Sequence, residues 1–188
     1  MLNELKKYNF KNLVVWNRGV DTELFNPNKR DINSKDTQLT YVGRVAIEKN
    51  IEEFLKLKGN YNKIVVGDGP ELEKYINKYP EVNFVGVKTG EELAKYYANA
   101  DVFVFPSKTD TLGNVILEAL ASGTPVAAYP VTGPIDVLTD EKINTLDNDL
   151  LQSIKKALKV KRVDCRNFTL NLTWDKCVKE FLEYMVNV

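Results

Sequence analysis

The chain has no histidine among its 188 residues. Chemistry that needs an imidazole as base, proton shuttle or metal ligand is therefore excluded within it. Cysteine is nearly as scarce. Cys165 and Cys177 are the only two, and without C-x-x-C spacing they read as packed or half-exposed thiols in a reducing compartment. There is no excess of charge, because Lys plus Arg equals Asp plus Glu at 26 each. That balance argues against nucleic acid or an anionic membrane as the main partner, while leaving room for a local basic pocket. No apolar run approaches the length of a membrane span, and the opening MLNELKKYNFKN lacks the apolar core of a signal peptide. A cytoplasmic protein with at most peripheral membrane contact is expected. Asn167 and Asn171 head N-x-T triplets, which carry no meaning without secretion.

An apolar content of 44% beside 28% charged residues is enough for one sizeable core in a single domain. The chain is organised around residues 101–130. Val102 to Phe105 form a continuous apolar run ended by Pro106 and Ser107, the pattern of a strand covered on both faces. Lys108 to Gly113 form a polar loop, and Asn114 to Ser122 form an apolar helix that Gly123 is placed to end. Val126 to Ala128 then re-enter the core. Glu118 is the one carboxylate on that helix, between Leu117 and Ala119, and Asp110 precedes it in the loop. Glu118 is either an ordinary exposed helix glutamate or an acid that needs a partner or a ligand.

The remaining segments repeat the same alternation. Leu13 to Trp16 read as a strand leading into the turn-rich NRGVDTELFNP, where Asp21 can bond nearby backbone. A strand at Leu39 to Val42 ends in Gly43-Arg44, and a helix follows over 48–58. Arg44 and Lys49 are either solvated surface cations or a pair suited to a diphosphate beside a helix start. A third strand, Ile64 to Val66, meets Gly67-Asp68-Gly69-Pro70, with Pro70 as the first helical residue. Leu stands at 72 where a dinucleotide fingerprint needs glycine, so this G-x-G is a structural turn and a nicotinamide-dependent oxidoreductase is a poor reading. A fourth strand, Val82 to Val85, closes at Gly86, which either turns the chain or admits a ligand base. Thr89 and Glu92 form a capping box for the helix through Asn99.

Beyond residue 130 the chain offers a tight Thr132-Gly133-Pro134 turn and a modest helix over 149–158. A basic connector, LKVKRVDCRNF, follows, and then a final helix striped for core or interface packing. Short apolar strands alternating with helices predict an α/β fold, a parallel sheet with helices on both faces. Ligands bind such sheets at the carboxyl ends of the strands, where Arg44, Lys49, Gly86, Asp110 to Gly113 and Glu118 all map.

Five stretches in order carry a family resemblance: RGVDTELFNP, YVGRVAIEKN, VVGDGPEL, NFVGVKTGEEL and ADVFVFPSKTDTLGNVILEALASGTPVAA. Together they cover nearly the whole chain. It resembles the nucleotide-sugar-binding, C-terminal half of glycosyltransferase family 4, enzymes of the two-domain GT-B fold, and is most similar to those that place mannose, glucose or sulfoquinovose on lipids or glycans. The resemblance implies a Rossmann-like donor domain over 1–188, with 1–36 as lead-in strand and linker, 37–160 as core and 161–188 as a helical tail. It implies retaining transfer from a UDP- or GDP-sugar without metal or other cofactor. Arg44 and Lys49, after Gly43, would clamp the diphosphate and stabilise the leaving group. Glu118 would accept from the ribose diol, since a carboxylate offers two oxygens to two vicinal donors. Asp110 would hold sugar hydroxyls, Thr111, Leu112, Gly113 and Asn114 would present backbone N–H groups, and backbone at Val87 would meet the base.

Three departures qualify the likeness. Asp110 stands for the usual glutamate, and Asn144 for a common glycine at which asparagine tolerates positive φ. The family's acceptor-binding first domain would precede RGVDT, where this chain begins, so a truncated half-enzyme or a partnership with a separate N-terminal-half chain is expected. The alternative is a non-catalytic interaction module that binds another protein through its C-terminal helix and former domain interface.

Overall fold

A computed structural model describes residues 2–11, 13–14, 16, 18–31, 36–109 and 113–186. Its strands are β1 (Thr37–Val42), β2 (Tyr61–Val66), β3 (Asn83–Phe84), β4 (Val102–Phe105) and β5 (Val126–Ala128). They form one sheet in the order β3-β2-β1-β4-β5, every pairing parallel. The helices are α1 (Leu2–Lys7), α2 (Ile51–Leu55), α3 (Leu72–Lys78), α4 (Gly90–Asn99), α5 (Asn114–Ala121), α6 (Pro134–Val137), α7 (Leu150–Ala157), α8 (Arg162–Thr169) and α9 (Trp174–Val186).

Alternate strand residues serve two cores. Val42, Val66, Phe103, Phe105 and Val126 pack with α4, α5 and α8 on one face. Leu39, Tyr41, Val65, Val102 and Val104 pack with α2, α3 and α7 on the other. Covering on both faces is why the strands are apolar throughout rather than alternating. From β1 the chain steps outward through α2 and α3 to β3, and α4 carries it back across the opposite face to β4. The topological switch therefore lies between β1 and β4, where loops leave the sheet towards opposite faces and open a crevice.

Several sequence expectations need correction. Leu13, Val14 and Trp16 belong to no strand, and the sheet has no sixth member among the described residues; Val14 and Trp16 are about half exposed, so they have no core to enter. The helix expected over 48–58 is a 3-10 turn, Ile47–Lys49, then α2, because left-handed Asn50 breaks it. α3 begins at Leu72 rather than Pro70, and the fourth strand pairs only over Asn83–Phe84. The capping box does not form, since Thr89 makes no side-chain cap bond and Glu92 reaches Lys88 instead at 2.6 Å. On α9 only Cys177 of the apolar stripe is fully buried, whereas Val178, Phe181, Leu182 and Met185 are exposed.

The basic connector is the largest correction, for it holds α8. Arg162 donates to the carbonyls of Ala98 and Ala100 at 2.7 Å, and Arg166 to those of Ala121 and Phe25 at 2.9 and 2.8 Å. The two guanidiniums thus satisfy the carbonyl ends of α4 and α5, where positive charge is favoured. Buried among them, the Cys165 thiol is pushed up to about 12 by desolvation, which keeps it inert.

At the carboxyl edge the turns pack backbone to backbone. Gly43 N–H donates to Val66 O at 3.0 Å, Gly67 N–H to Gly86 O at 2.9 Å and Val45 N–H to Asp68 O at 2.8 Å. Gly67 has φ +143°, and a Cβ there would lie 1.9 Å from the Gly43 oxygen. Gly86, at φ +73°, has nothing within 4 Å of the same position. Gly67→Ala is expected to lower unfolding free energy by at least about 2 kcal/mol through overlap plus backbone strain, and Gly86→Ala by only about 1 kcal/mol through strain. Chemical denaturation of the two variants checks the ordering.

Candidate active site

The crevice between β1 and β4 is lined from both loops. On the β1 side, Tyr41 hydroxyl donates to Arg44 O at 2.7 Å, which holds the turn against the end of its own strand. The Arg44 guanidinium is 64% exposed and lies 3.4 Å from Glu48, an ion pair worth about 0.5 kcal/mol or less and readily exchanged for a stronger anion. Lys49 closes the 3-10 turn and is half-buried. Its neighbour Asn50 donates from Nδ2 to Pro106 O at 2.9 Å, and Thr109 hydroxyl donates to Glu48 O at 3.4 Å. Those bonds lash the two loops together across the switch point, so Arg44 and Lys49 stand beside the loop that leads into α5.

On the β4 side, Gly113 is the N-cap of α5, and no cap bond from a side chain is made among the described residues. Ser107 Oγ and Asn114 Oδ1 are buried without a hydrogen-bond partner among the described residues. Uncapped N–H groups at a helix start make a favourable setting for anionic oxygen. Asp110, Thr111 and Leu112 lie outside the described residues. Val87 follows β3 at the same edge, 64% exposed beside the open Gly86.

Glu118 sits on the second turn of α5 and is not the exposed helix glutamate that was one reading of the sequence. Tyr97 hydroxyl, on α4, donates to Glu118 Oε2 at 2.9 Å. Burial pushes the Glu118 carboxyl above the ordinary glutamate range, and the Tyr97 hydrogen bond opposes that shift without cancelling it. Tyr97 itself is fully buried and held well above 10, first by burial and then by the Glu118 charge, so at neutral pH it is a donor. Tyr97 is the residue that sequence reasoning missed. It is one of two adjacent tyrosines on an amphipathic helix, and nothing in the pattern marks it for Glu118. Two other clefts open at the amino edge, the smaller about 360 Å³ and walled by Asp36, Asp101 and Arg162, far along the strands from these groups. Arg162 there is already committed to main-chain carbonyls.

The family model described as Glycosyl transferases group 1 matches residues 23–167. The chain belongs to the group 1 glycosyltransferases. Within this family it is 35% identical over 160 residues to a GDP-mannose-dependent alpha-mannosyltransferase of Corynebacterium glutamicum, covering 80% of this chain and 38% of the relative. It is 38% identical over 148 residues to the sulfoquinovosyl transferase SQD2 of Arabidopsis thaliana, covering 69% and 28%. Among solved structures, sucrose-phosphate synthase of Thermosynechococcus elongatus superposes with a TM-score of 0.76 at 25% identity, covering 90% of this chain and 51% of that one. Anabaena HepE in complex with UDP and glucose gives 0.74 at 18% identity, covering 93% and 57%, a likeness of fold alone. The group 1 chain thus has the Rossmann-like architecture of GT-B glycosyltransferases and spans well under half the length of those two sequence relatives.

Because its folded pKa lies above that of the unfolded chain, ionised Glu118 costs stability. The cost grows as pH rises from the ordinary value of 4.5 through the folded value and is complete above it. Glu118→Gln is therefore expected to melt at or above the native temperature at pH 7, with the gap closing below pH 4.5. Calorimetric melting across that range checks it.

Proposed function

We propose that this chain is the donor-binding, C-terminal half of a family 4 GT-B glycosyltransferase, which transfers a hexosyl group with retention from a nucleotide sugar to a lipid or glycan. The observation that supports the reading is the tie across the switch point, where Asn50 bonds Pro106 and Thr109 bonds Glu48, which sets the loop of Arg44 and Lys49 beside the loop into α5 and its half-buried Glu118. Two cations match the charge of a diphosphate, and the helix start adds N–H groups. The bond between the anomeric carbon and the phosphate oxygen breaks, its electron pair leaves with the nucleoside diphosphate, and an acceptor hydroxyl oxygen bonds the same carbon while its proton passes to the departing diphosphate oxygen. Arg44 and Lys49 stabilise the charge that gathers on the departing oxygen, so the reading assigns no metal to that task. Glu118 takes the ribose hydroxyls and the exposed backbone at Val87 meets the base. Asp110 holds sugar hydroxyls, and backbone from Thr111 to Asn114 faces sugar and phosphate.

The mannosyltransferase relative makes GDP the first nucleotide to test, and the UDP complex of HepE makes UDP the second. On this reading the acceptor-binding part is supplied by another portion of a longer polypeptide or by a separate chain. Isothermal calorimetry is expected to show millimolar to micromolar binding of GDP or UDP, about −4 to −8 kcal/mol. Lys49→Ala and Glu118→Ala should each weaken it about tenfold or more. Binding of neither nucleotide removes the reading.

One feature favours the second reading, an interaction module. Trp16 stacks on Phe181 with centroids 5.0 Å apart and donates from Nε1 to Cys177 O at 2.9 Å, and around this pair Trp174, Val178, Leu182 and Met185 stand exposed. So continuous an apolar face is suited to contact with a further domain or chain. If it is such a contact, Phe181→Lys should abolish concentration-dependent association on sizing chromatography while leaving the fold intact. A native chain that stays monomeric at every concentration, alone and with candidate partner chains, counts against the module.

A further inference from the structure

Tyr97 is fully buried, with its ring edge-on to Phe25 at 5.8 Å and to Phe103 at 5.5 Å, so it has no room to swing. Its main chain is also held, because Thr124 hydroxyl donates to Tyr97 O at 2.6 Å and Arg162 anchors the next residue's carbonyl. Phenylalanine would fill this space equally well. A hydroxyl at such a place needs a partner, and the partner it has is Glu118 Oε2 at 2.9 Å. No other hydrogen bond reaches the Glu118 carboxyl group among the described residues. Resting on the nucleotide reading above, we propose that Tyr97 is the positioning residue for Glu118. Its hydroxyl grips one carboxylate oxygen and leaves the other to be presented, ionised, to the paired hydroxyls of a ribose.

The chemistry of the pair supports the division of labour. A carboxylate has about four lone-pair sites, of which one phenol occupies one, so capacity remains for two vicinal donors. Held by a rigid ring, the carboxylate keeps one rotamer and ligand binding need not order it. Of the other ionisable groups on the surrounding elements, Tyr96 on α4 and Asp164 and Cys165 on α8 make no hydrogen bond to the Glu118 carboxyl, and the charged groups nearby are paired elsewhere or exposed. Lys88 pairs with Glu92, Glu91 with Lys29, and Arg162 and Arg166 bond main-chain carbonyls, while Lys95 is exposed. A hydrogen bond to the ionised form is thus the protein's own means of opposing the burial that drives Glu118 towards the neutral acid, which accepts from fewer donors.

The experiment follows the Glu118 carboxyl by ¹³C NMR in the nucleotide-free protein, with Glu118→Gln identifying its signal. In Tyr97→Phe the titration midpoint is expected to move upward, with circular dichroism unchanged. An unmoved midpoint overturns the proposal. Calorimetry with GDP and UDP should then show binding to Tyr97→Phe about tenfold weaker at neutral pH, with its acid limb displaced upward. Tyr97→Phe should cause no further loss in a Glu118→Gln background. A loss uniform with pH, or additive with Glu118→Gln, marks a purely structural tyrosine and overturns the positioning role. A native protein that binds neither nucleotide overturns the ribose assignment together with the reading it rests on, and the carboxyl titration still decides the Tyr97–Glu118 pairing by itself.

Discussion

Backbone contact between the turns at the carboxyl edge is the constraint on which the rest of this molecule depends. Gly67 lies so near the Gly43 carbonyl that no side chain fits between them, and the Gly43 and Gly67 amides bond across to the neighbouring strands. Parallel strands end where these turns begin, so close packing there sets how far each loop projects beyond the sheet. The loop after β1 is pressed down onto the β2 turn and then tied sideways to Pro106 through Asn50. That tie sets the loop bearing Arg44 and Lys49 beside the switch point. The edge thus holds both residues on a main chain fixed by hydrogen bonds.

Around this edge the electrostatics are uneven by design of the fold. Arg44 has a weak, exposed partner in Glu48, whereas Glu118 has a strong, enclosed one in Tyr97. The exposed pair yields easily to a competing phosphate, and the enclosed pair does not yield to solvent. Stability is spent on holding a carboxylate where burial disfavours its charge, as binding sites commonly require. Membership of the group 1 glycosyltransferases fits a site of this kind without itself assigning a donor or an acceptor.

Structural arginines show the same economy at the far ends of the helices. Arg162 and Arg166 read in the sequence as part of a basic linker, yet each closes the carbonyl end of a helix and is largely withdrawn from water. Burial brings Arg162 down to about 10, a depression that marks how little solvent reaches it. Basic residues in this chain therefore fall into two groups, exposed or half-buried side chains at the carboxyl edge of the sheet and partly buried guanidiniums that terminate helices.

By itself the sequence determined the parallel α/β class, the order of strands and helices from residue 37 to residue 128, and the placement of Arg44, Lys49 and Glu118 on a strand-end loop and a helix. Those follow from local periodicity and turn chemistry, which act over a few residues. It misread Leu13, Val14 and Trp16 as part of a strand and 158–168 as a connector, because an apolar or basic run looks alike whether or not something packs on it. Only the tertiary structure decided that β1 and β4 are neighbours, that α8 caps two other helices, and that Tyr97 reaches Glu118 across 21 residues of chain. Such contacts depend on which strand lies beside which, and periodicity within a strand carries no record of that order.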